Sequence, residues 1–194
     1  MNHIELLRIL GWIWAVFGIY WVVAGFRAKK AQTSESPIYR IIRLSILVIT
    51  FTLLFGRWTA IGPLAASFFP HNPLVGDIGF FVAILGIALA TWARIHLGQF
   101  WSDKVVLKVD HQLIRTGPYA RLRHPIYSGV LLGVAGTALL LDEWRGVLAF
   151  VILLVNYSIK AKREDGILAG AFSSTFAEHK NSAGFLLPRF FRRQ

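Results

Sequence analysis

Long apolar runs alternate with polar segments along this chain. A helix needs about 20 predominantly apolar residues to cross a hydrocarbon core roughly 30 Å thick, and the first and third runs are close to that length. The last two runs are shorter and are separated by four residues, DEWR, which indicates a tight helical hairpin that is tilted or sheltered by other helices. The pattern predicts an all-α integral membrane protein with about five transmembrane helices, over residues 9–26, 41–55, 74–93, 126–141 and 146–159.

The segments between these runs differ in character. Residues 27–43 are expected to form a basic polar loop, and residues 56–73 mix Gly and Pro with apolar side chains, as is typical of an irregular interfacial loop. Residues 94–123 are polar, and the alternation over residues 105–113 favours a short strand or hairpin. From Lys160 the chain becomes charged, which predicts a C-terminal amphipathic tail.

Small side chains recur at helical spacing in the third and fourth runs. Such spacing lets two helix backbones approach closely and is typical of tightly packed helices in membranes. We therefore expect packing contacts, rather than ligand contacts, at these positions. They are Gly79, Ala83, Gly86, Ala90, Gly129 and Gly133.

Composition supports the membrane class. Hydrophobic residues make up 55% of the 194 residues and charged residues only 16%, which departs from ordinary soluble usage. The aromatic residues of the first run, Trp12, Trp14, Tyr20 and Trp21, are interpreted as interfacial belts. The chain contains no cysteine, so disulfides, thiolate nucleophiles and cysteine metal ligands are excluded.

The basic charge indicates topology. The net charge is +11, but the charge lies between apolar runs, which indicates membrane lipids rather than nucleic acid as the partner. Of the 21 Lys and Arg residues, 18 fall in alternate segments, residues 27–43, 94–125 and 160–194, which lie on the same side of the five-helix arrangement. The positive-inside rule therefore predicts that the N-terminus lies outside, and that residues 94–125 and the C-terminal tail are cytoplasmic.

Groups able to do chemistry concentrate between residues 111 and 129. Neither GxGxxG after a strand nor GxxxxGK[ST] is present, so the motifs for a dinucleotide or a nucleotide phosphate are missing. The histidines lack HExxH or another metal-ligand spacing, so we expect no metal site. Ser128 follows His124 without a GxSxG elbow, which argues against a serine hydrolase.

The remaining pattern is a basic, aromatic pocket beside two adjacent carboxylates, at the point where the chain re-enters the membrane. An Arg–His pair can hold a carboxylate through charge-assisted hydrogen bonds, and a Tyr face can hold a sulfonium by cation–π attraction. Glu164 or Asp165 can bind ribose hydroxyls. S-adenosyl-L-methionine carries all of these groups, so it is the predicted cofactor.

The sequence RTGPYARLRHPIYSG, preceded by HQLI and by LGQFWS, resembles the isoprenylcysteine carboxyl methyltransferase family and its relatives among the phospholipid N-methyltransferases. The resemblance covers roughly residues 94–188, and its core RHPxYxG is fairly specific in a multispan protein. Family members typically carry two adjacent glutamates, a leucine, a Phe-Gly pair and tyrosines after the helical hairpin. Glu164-Asp165, Leu168, Phe172-Ser173 and Phe176 occupy those places here.

The resemblance implies a membrane methyltransferase that takes its cofactor from the cytosol and a lipidic or prenylated acceptor from the bilayer. It divides the chain into a membrane region, 1–93, and a catalytic region, 94–194. The residues implied to contact the cofactor are His111, Gln112, Leu113, Ile114, Gly117, Tyr119, His124, Pro125, Ile126, Tyr127, Glu164 and Asp165.

Two acceptors fit this interpretation. A carboxylate needs only a cation to orient it, for which Arg123 and Lys160 are the candidates, whereas an amine must first lose a proton, which would make Glu164 a general base. Two other functions remain open at this point. One is an NADPH-dependent membrane reductase of the sterol-reductase type, and the other is a lipid-binding scaffold without enzymatic activity.

Overall fold

The structure is a computed structural model and describes residues 2–26, 36–69, 72–98 and 113–189. Within these ranges it contains five α-helices and no β-strand. The helices are α1 (His3–Phe26), α2 (Pro37–Phe55), α3 (Pro73–Leu97), α4 (Pro125–Leu141) and α5 (Trp144–Ser182). The strand predicted over residues 105–113 lies almost entirely outside the described residues.

The predicted membrane class is confirmed. Helices α1, α2, α3 and α5 are long and apolar enough to cross a membrane, and α4 is a shorter apolar helix of 17 residues. Helices α2, α3 and α4 each begin with a proline, a residue whose fixed φ suits the first helical position. The chain is a multi-pass integral membrane protein.

Helices α1, α2, α3 and α5 extend beyond their predicted ends, and the extensions of α2 and α5 include charged segments. Helix α2 begins at Pro37 rather than at residue 41, so Arg43 belongs to the helix and not to a basic loop. Helix α5 does not end at residue 159 but continues through the charged segment to Ser182, with a kink at Ser173, where the backbone is not helical. Ten of the 22 residues from 161 to 182 are good helix formers and no proline interrupts them, so the helix continues into the segment predicted as an amphipathic tail.

Helices α3 and α4 form the tightest contact of the fold, as the small residues predicted. Gly79, Gly86 and Ala90 of α3 are buried against Gly129 and the following turns of α4. A Cβ on Gly86 would lie 2.2 Å from the backbone nitrogen of Gly133, and a Cβ on Gly129 would lie 2.5 Å from that of Ala90. The backbones approach so closely that only small residues fit along this contact.

The core lies between α1, α3, α4 and α5, and it corrects the interpretation of one tryptophan. Trp14 is only 5% exposed, and its indole Nε1–H donates to the Thr137 hydroxyl at 3.0 Å. Trp12 is 71% exposed, as a belt residue would be. Trp14 is therefore a core residue that joins α1 to α4, because its polar atom finds a buried partner.

The turn between α4 and α5 is held by a buried arginine. Arg145 donates from Nη1 to the backbone oxygens of Leu53 and Gly56, at 3.1 and 2.9 Å, and to the hydroxyl of Thr59 at 3.1 Å. Its Nε lies 2.6 Å from Glu143. These bonds tie the start of α5 to the end of α2.

Candidate active site

At the opposite end of α4, His124 lies between two carboxylates of α5. Its Nε2 lies 2.9 Å from an oxygen of Asp165, and its Nδ1 lies 3.5 Å from an oxygen of Glu164. The histidine side chain is only 4% exposed, and those of the two acids are 24% and 17% exposed. We refer to His124, Glu164 and Asp165 as the histidine–carboxylate cluster.

The local sequence explains how this cluster forms. Pro125 starts α4, so His124 is the residue just before the helix and projects from its end. Glu164 and Asp165 are consecutive on α5, and consecutive side chains of a helix point in directions about 100° apart. The two carboxylates therefore reach opposite nitrogens of one imidazole ring.

The surroundings of His124 shift its pKa. Burial lowers the pKa of the ring, but the hydrogen bonds to Asp165 and Glu164 raise it by more, so the pKa lies above the usual 6.5. A protonated ring can donate from both nitrogens. The two carboxylates therefore favour the protonated form of His124, the imidazolium.

Tyr127 extends the cluster into an aromatic stack. Its hydroxyl donates to the carboxylate of Glu164 at 2.5 Å. Its ring stacks on the ring of His124 at a centroid distance of 5.6 Å and lies 4.7 Å from the ring of Tyr157 on α5. The motif of α4 and the acidic pair of α5 thus form one connected site.

Arg123 closes the cluster on its other side. Its Nε and Nη2 each lie 3.2 Å from an oxygen of Asp165, and its Nη1 donates to the backbone oxygen of Ala183 at 2.8 Å. All three guanidinium nitrogens are thus engaged within the protein. In this conformation Arg123 holds Asp165 and residues 183–189, rather than offering a nitrogen to an acceptor.

Residues 183–189 form what we call the C-terminal strap, which runs across the motif. Gly184 pairs with Leu122 in an isolated parallel bridge, with the amide of Arg123 donating to Gly184 at 2.8 Å. Ser128 donates from its hydroxyl to the Leu186 carbonyl at 2.8 Å. The ring of Phe185 meets that of His124 edge to face at 5.4 Å. The strap therefore covers one side of the cluster.

Several other predicted contact residues lie in the same buried region. Tyr119 and Ile126 belong to one apolar cluster with Tyr127, and Ile114 packs against it. Burial raises the pKa of the Tyr119 hydroxyl, and the charge of Glu164 raises it further. This phenol therefore stays protonated, with its oxygen 3.4 Å from the carbonyl oxygen of Ala93.

The remaining predicted positions have less specific surroundings. Pro125 is fully buried, and Leu113 is half-buried. Gly117 opens the 3-10 turn Gly117–Ala120 with φ of +57°, and a Cβ there would lie 2.8 Å from the ring of His96. The structure thus needs glycine at position 117. His111 and Gln112 lie outside the described residues.

The site also includes a residue that the sequence analysis assigned to a loop. Arg43 of α2 is 4% exposed, and its positive charge acts on the hydroxyl of Tyr127. Lys160, a predicted cation, is 6% exposed, and its Nζ lies 5.3 Å from the centroid of the Tyr127 ring. An arginine inside an apolar run, four residues after a tyrosine, was the available signal for Arg43.

An apolar cavity of about 880 Å³ adjoins the cluster. Helix α4, helix α5 and the strap form its walls, and Ser128 and Arg189 are its polar lining residues. The large apolar side chains in its lining are Leu131, Leu132, Phe150, Leu154, Phe185 and Leu187. Phe185 lines the cavity and also contacts His124, so the ring of Phe185 lies between the cavity and the cluster.

We find no candidate metal site in the part of the chain that the structure describes. No set of three or more His, Cys, Asp or Glu side chains there is arranged to hold a metal ion.

The chain is similar to a known protein family and to individual proteins. The sequence model of the isoprenylcysteine carboxyl methyltransferase (ICMT) family matches residues 78–169. The protein-S-isoprenylcysteine O-methyltransferase of Saccharomyces cerevisiae is 33% identical over 57% of this chain and 48% of its own length. The cobalt-zinc-cadmium resistance protein CzcN of Cupriavidus metallidurans is 31% identical over 74% of this chain and 61% of its own length.

A solved structure is also similar. The eukaryotic intramembrane Ras methyltransferase ICMT superposes with a TM-score of 0.53 at 26% sequence identity, over 81% of this chain and 54% of that chain. The chain thus spans about half to three-fifths of the length of these relatives. The matched region includes α4 and the acidic pair of α5, which carry the histidine–carboxylate cluster. The family implies a methyl donor.

Proposed function

Because the chain is an isoprenylcysteine carboxyl methyltransferase-like membrane protein, we propose that it transfers a methyl group from S-adenosylmethionine to a lipidic acceptor that carries a carboxylate. The observation that carries this proposal is the histidine–carboxylate cluster, in which the RHPxY motif of α4 meets the acidic pair of α5. The prenylated substrate of the relatives supports the choice of acceptor.

The residues present fit such a cofactor. His124, Tyr157 and Lys160 already contact the ring of Tyr127, so the half-buried ring of Tyr157 is the aromatic group that can hold a sulfonium. Glu164 and Asp165 offer acceptors for hydroxyl groups. When bound, S-adenosylmethionine supplies an electrophilic methyl group on sulfur. We assign its binding to the predicted contact residues, with the acidic pair and Tyr127 at the centre.

The chain contributes alignment and exclusion of water. Displacement at a methyl carbon depends mainly on holding the nucleophile in line and removing its water. His124 and Arg123 fix the two carboxylates, and Phe185 of the strap covers the imidazole. A carboxylate nucleophile needs no general base, so these residues can be ionised throughout.

The apolar cavity supports a lipidic acceptor. Its walls come from α4, α5 and the strap, and Leu132 in its lining is 40% exposed. Burying a hydrocarbon chain against such walls is favourable by roughly 0.8 kcal/mol per methylene relative to water. We assign this cavity to the lipid portion of the acceptor.

The proposal extends to topology and domain roles. We propose that the N-terminus lies outside and that the cluster and the C-terminal region are cytoplasmic, in keeping with the placement of Lys and Arg. In this arrangement residues 94–194 carry most of the chemistry and residues 1–93 anchor it, with Arg43 as a contribution from the anchor.

The test is binding of S-adenosylhomocysteine to detergent-purified protein by isothermal titration, followed by transfer of labelled methyl to a farnesylated cysteine. We expect saturable binding to the wild type and its loss in His124→Ala and Glu164→Ala. Glu178→Gln is the matched control, because this carboxylate also lies on α5 but its side chain is 71% exposed. Folded wild type that binds no S-adenosylhomocysteine would refute the proposal, and binding of NADPH instead would indicate a reductase.

A further inference from the structure

Phe185 of the C-terminal strap contacts both parts of the proposed site. Its ring meets that of His124 edge to face at a centroid distance of 5.4 Å, and the guanidinium carbon of Arg123 lies 5.4 Å from the centroid of the same ring. The side chain also lines the apolar cavity. A bulky aromatic ring therefore separates the cavity from the histidine–carboxylate cluster.

Hydrogen bonds on both sides of Phe185 fix the position of its ring. The carbonyl oxygen of Gly184 accepts from the amide of Arg123 at 2.8 Å, and the carbonyl oxygen of Leu186 accepts from the hydroxyl of Ser128 at 2.8 Å. Both chain neighbours of Phe185 are thus bonded to the motif. The backbone cannot carry the ring away from the cluster unless these bonds break.

The cavity extends from this ring along α4. The α4 residues in its lining share one face of the helix, as their spacing requires, and they are Ser128, Leu131, Leu132 and Ala135. Ser128 marks the end nearest the cluster, because its hydroxyl also donates to the backbone oxygen of His124 at 3.1 Å. From there to Ala135 the helix rises about 10 Å. A hydrocarbon chain that lies along α4 in this cavity therefore has one end beside Phe185.

An acceptor of the proposed kind has to pass this ring. Its lipid chain occupies the cavity, whereas its carboxylate has to reach the methyl donor beside Glu164 and Asp165. The atoms that join these two parts of the acceptor therefore lie against Phe185. Their placement affects the rate strongly, because a misplacement of about 1 Å at a reacting group can cost roughly 100-fold.

We propose that Phe185 is a specificity-determining residue, which contacts the acceptor between its lipid chain and its carboxylate and admits only acceptors that are narrow at this point. This proposal rests on the function proposed above and deepens it. The substrate class is a lipid chain joined to the carboxylate-bearing carbon through an unbranched linker, such as the thioether methylene of a prenylated cysteine. Methyl groups added to this linker would overlap the ring, whose position the strap fixes.

The test compares two acceptors that differ only in this linker. Farnesylated N-acetylcysteine has a methylene beside its sulfur, and farnesylated N-acetylpenicillamine carries two methyl groups on the same carbon. The kcat/KM for each acceptor is measured in lipid nanodiscs for the wild type, Phe185→Ala and Phe185→Leu. Leu187→Ala is the matched control, because Leu187 also belongs to the strap and lines the cavity but is 80% exposed. Thermal unfolding and the affinity for S-adenosylhomocysteine show whether each variant keeps its fold and its donor site.

We expect the wild type to prefer the cysteine acceptor by about 10-fold or more, which is the discrimination that one or two extra carbons produce in an apolar site. In Phe185→Ala this preference should fall to within about 3-fold, because the ring no longer excludes the added methyl groups. The preference of Phe185→Leu should lie between these two values. Leu187→Ala should keep the preference of the wild type, and each variant should bind S-adenosylhomocysteine as the wild type does.

Two results would overturn the proposal. One is a wild type that methylates both acceptors with equal kcat/KM. The other is a folded Phe185→Ala that keeps the preference of the wild type, which would show that the ring only supports the strap. If Phe185→Ala does not fold, Phe185→Leu decides by the same ratio. A wild type that methylates neither acceptor would instead refute the proposed function.

Discussion

Replacement of Gly86 by alanine would test the close contact between α3 and α4. The added Cβ would lie 2.2 Å from the backbone nitrogen of Gly133 and 2.6 Å from the backbone oxygen of Gly129. These atoms belong to a helix backbone, so no side chain can rotate away to make room. Because heavy atoms in optimal contact are about 3.5–4.0 Å apart, the two helices would have to separate by roughly 1 Å or more.

The expected cost follows from this separation. Overpacking of a core typically costs about 1–3 kcal/mol, and we expect Gly86→Ala near the upper end because several small residues lose contact together. The separation would also move the start of α4, which carries Tyr127, so affinity for S-adenosylhomocysteine should fall as well.

The assay is unfolding in mixed micelles followed by tryptophan fluorescence. Gly18→Ala in α1 is the matched control, since a Cβ there would meet nothing within 4 Å. Alanine has the higher helix propensity by up to about 1 kcal/mol, so this variant should be as stable as wild type or more stable. If Gly86→Ala and Gly18→Ala unfold at the same denaturant fraction, the α3–α4 contact is not as close as described.

Three further predictions concern other sites. The pKa of His124 is raised on folding, so its stabilising bonds are complete below about pH 6.5 and are lost as pH rises through the folded pKa. The free energy of unfolding of the wild type should therefore fall between pH 6 and 9, whereas that of His124→Gln should not. Ser173 has φ of +35° inside α5, which is a strained conformation for a residue with a Cβ. Ser173→Gly should therefore raise the free energy of unfolding by about 1 kcal/mol. A free energy equal to or lower than that of wild type would contradict the strain. Arg145→Gln should lower that free energy by about 3 kcal/mol in the same assay, since it breaks the ion pair with Glu143 and removes an N–H donor from the carbonyl oxygens of Leu53 and Gly56. A loss below about 1 kcal/mol would show that the turn does not depend on Arg145.

The features that could be predicted from sequence are those with a local pattern. Gly86 and Gly129 lie at helical spacings that indicate close packing, and the structure confirms it. The motif around His124 and the acidic pair at Glu164 could each be identified from sequence. Their direct contact could not, because it depends on how α5 returns beside α4.

Other features depend on tertiary surroundings that a pattern does not contain. Arg43 lay where the predicted basic loop, 27–43, overlaps the predicted helix, 41–55, and the structure places it within α2 in buried surroundings. Trp14 was assigned to an interfacial belt, but Thr137, distant in sequence, supplies the partner that lets it be buried. Arg123 was predicted as a cation for the acceptor, but its contacts with Asp165 and the strap depend on residues far along the chain, which no local pattern contains.

The pairing of the strap with the motif has a consequence for biosynthesis. The backbone of Gly184 bonds to Arg121 and Arg123, some 60 residues earlier in the chain. During translation the motif is therefore synthesised before the strap residues that bond to it. Contacts so distant in sequence form late in folding. We therefore expect the nascent protein to insert its helices before the strap pairs with the motif. The histidine–carboxylate cluster is complete only when the last segment of α5 and the strap have docked.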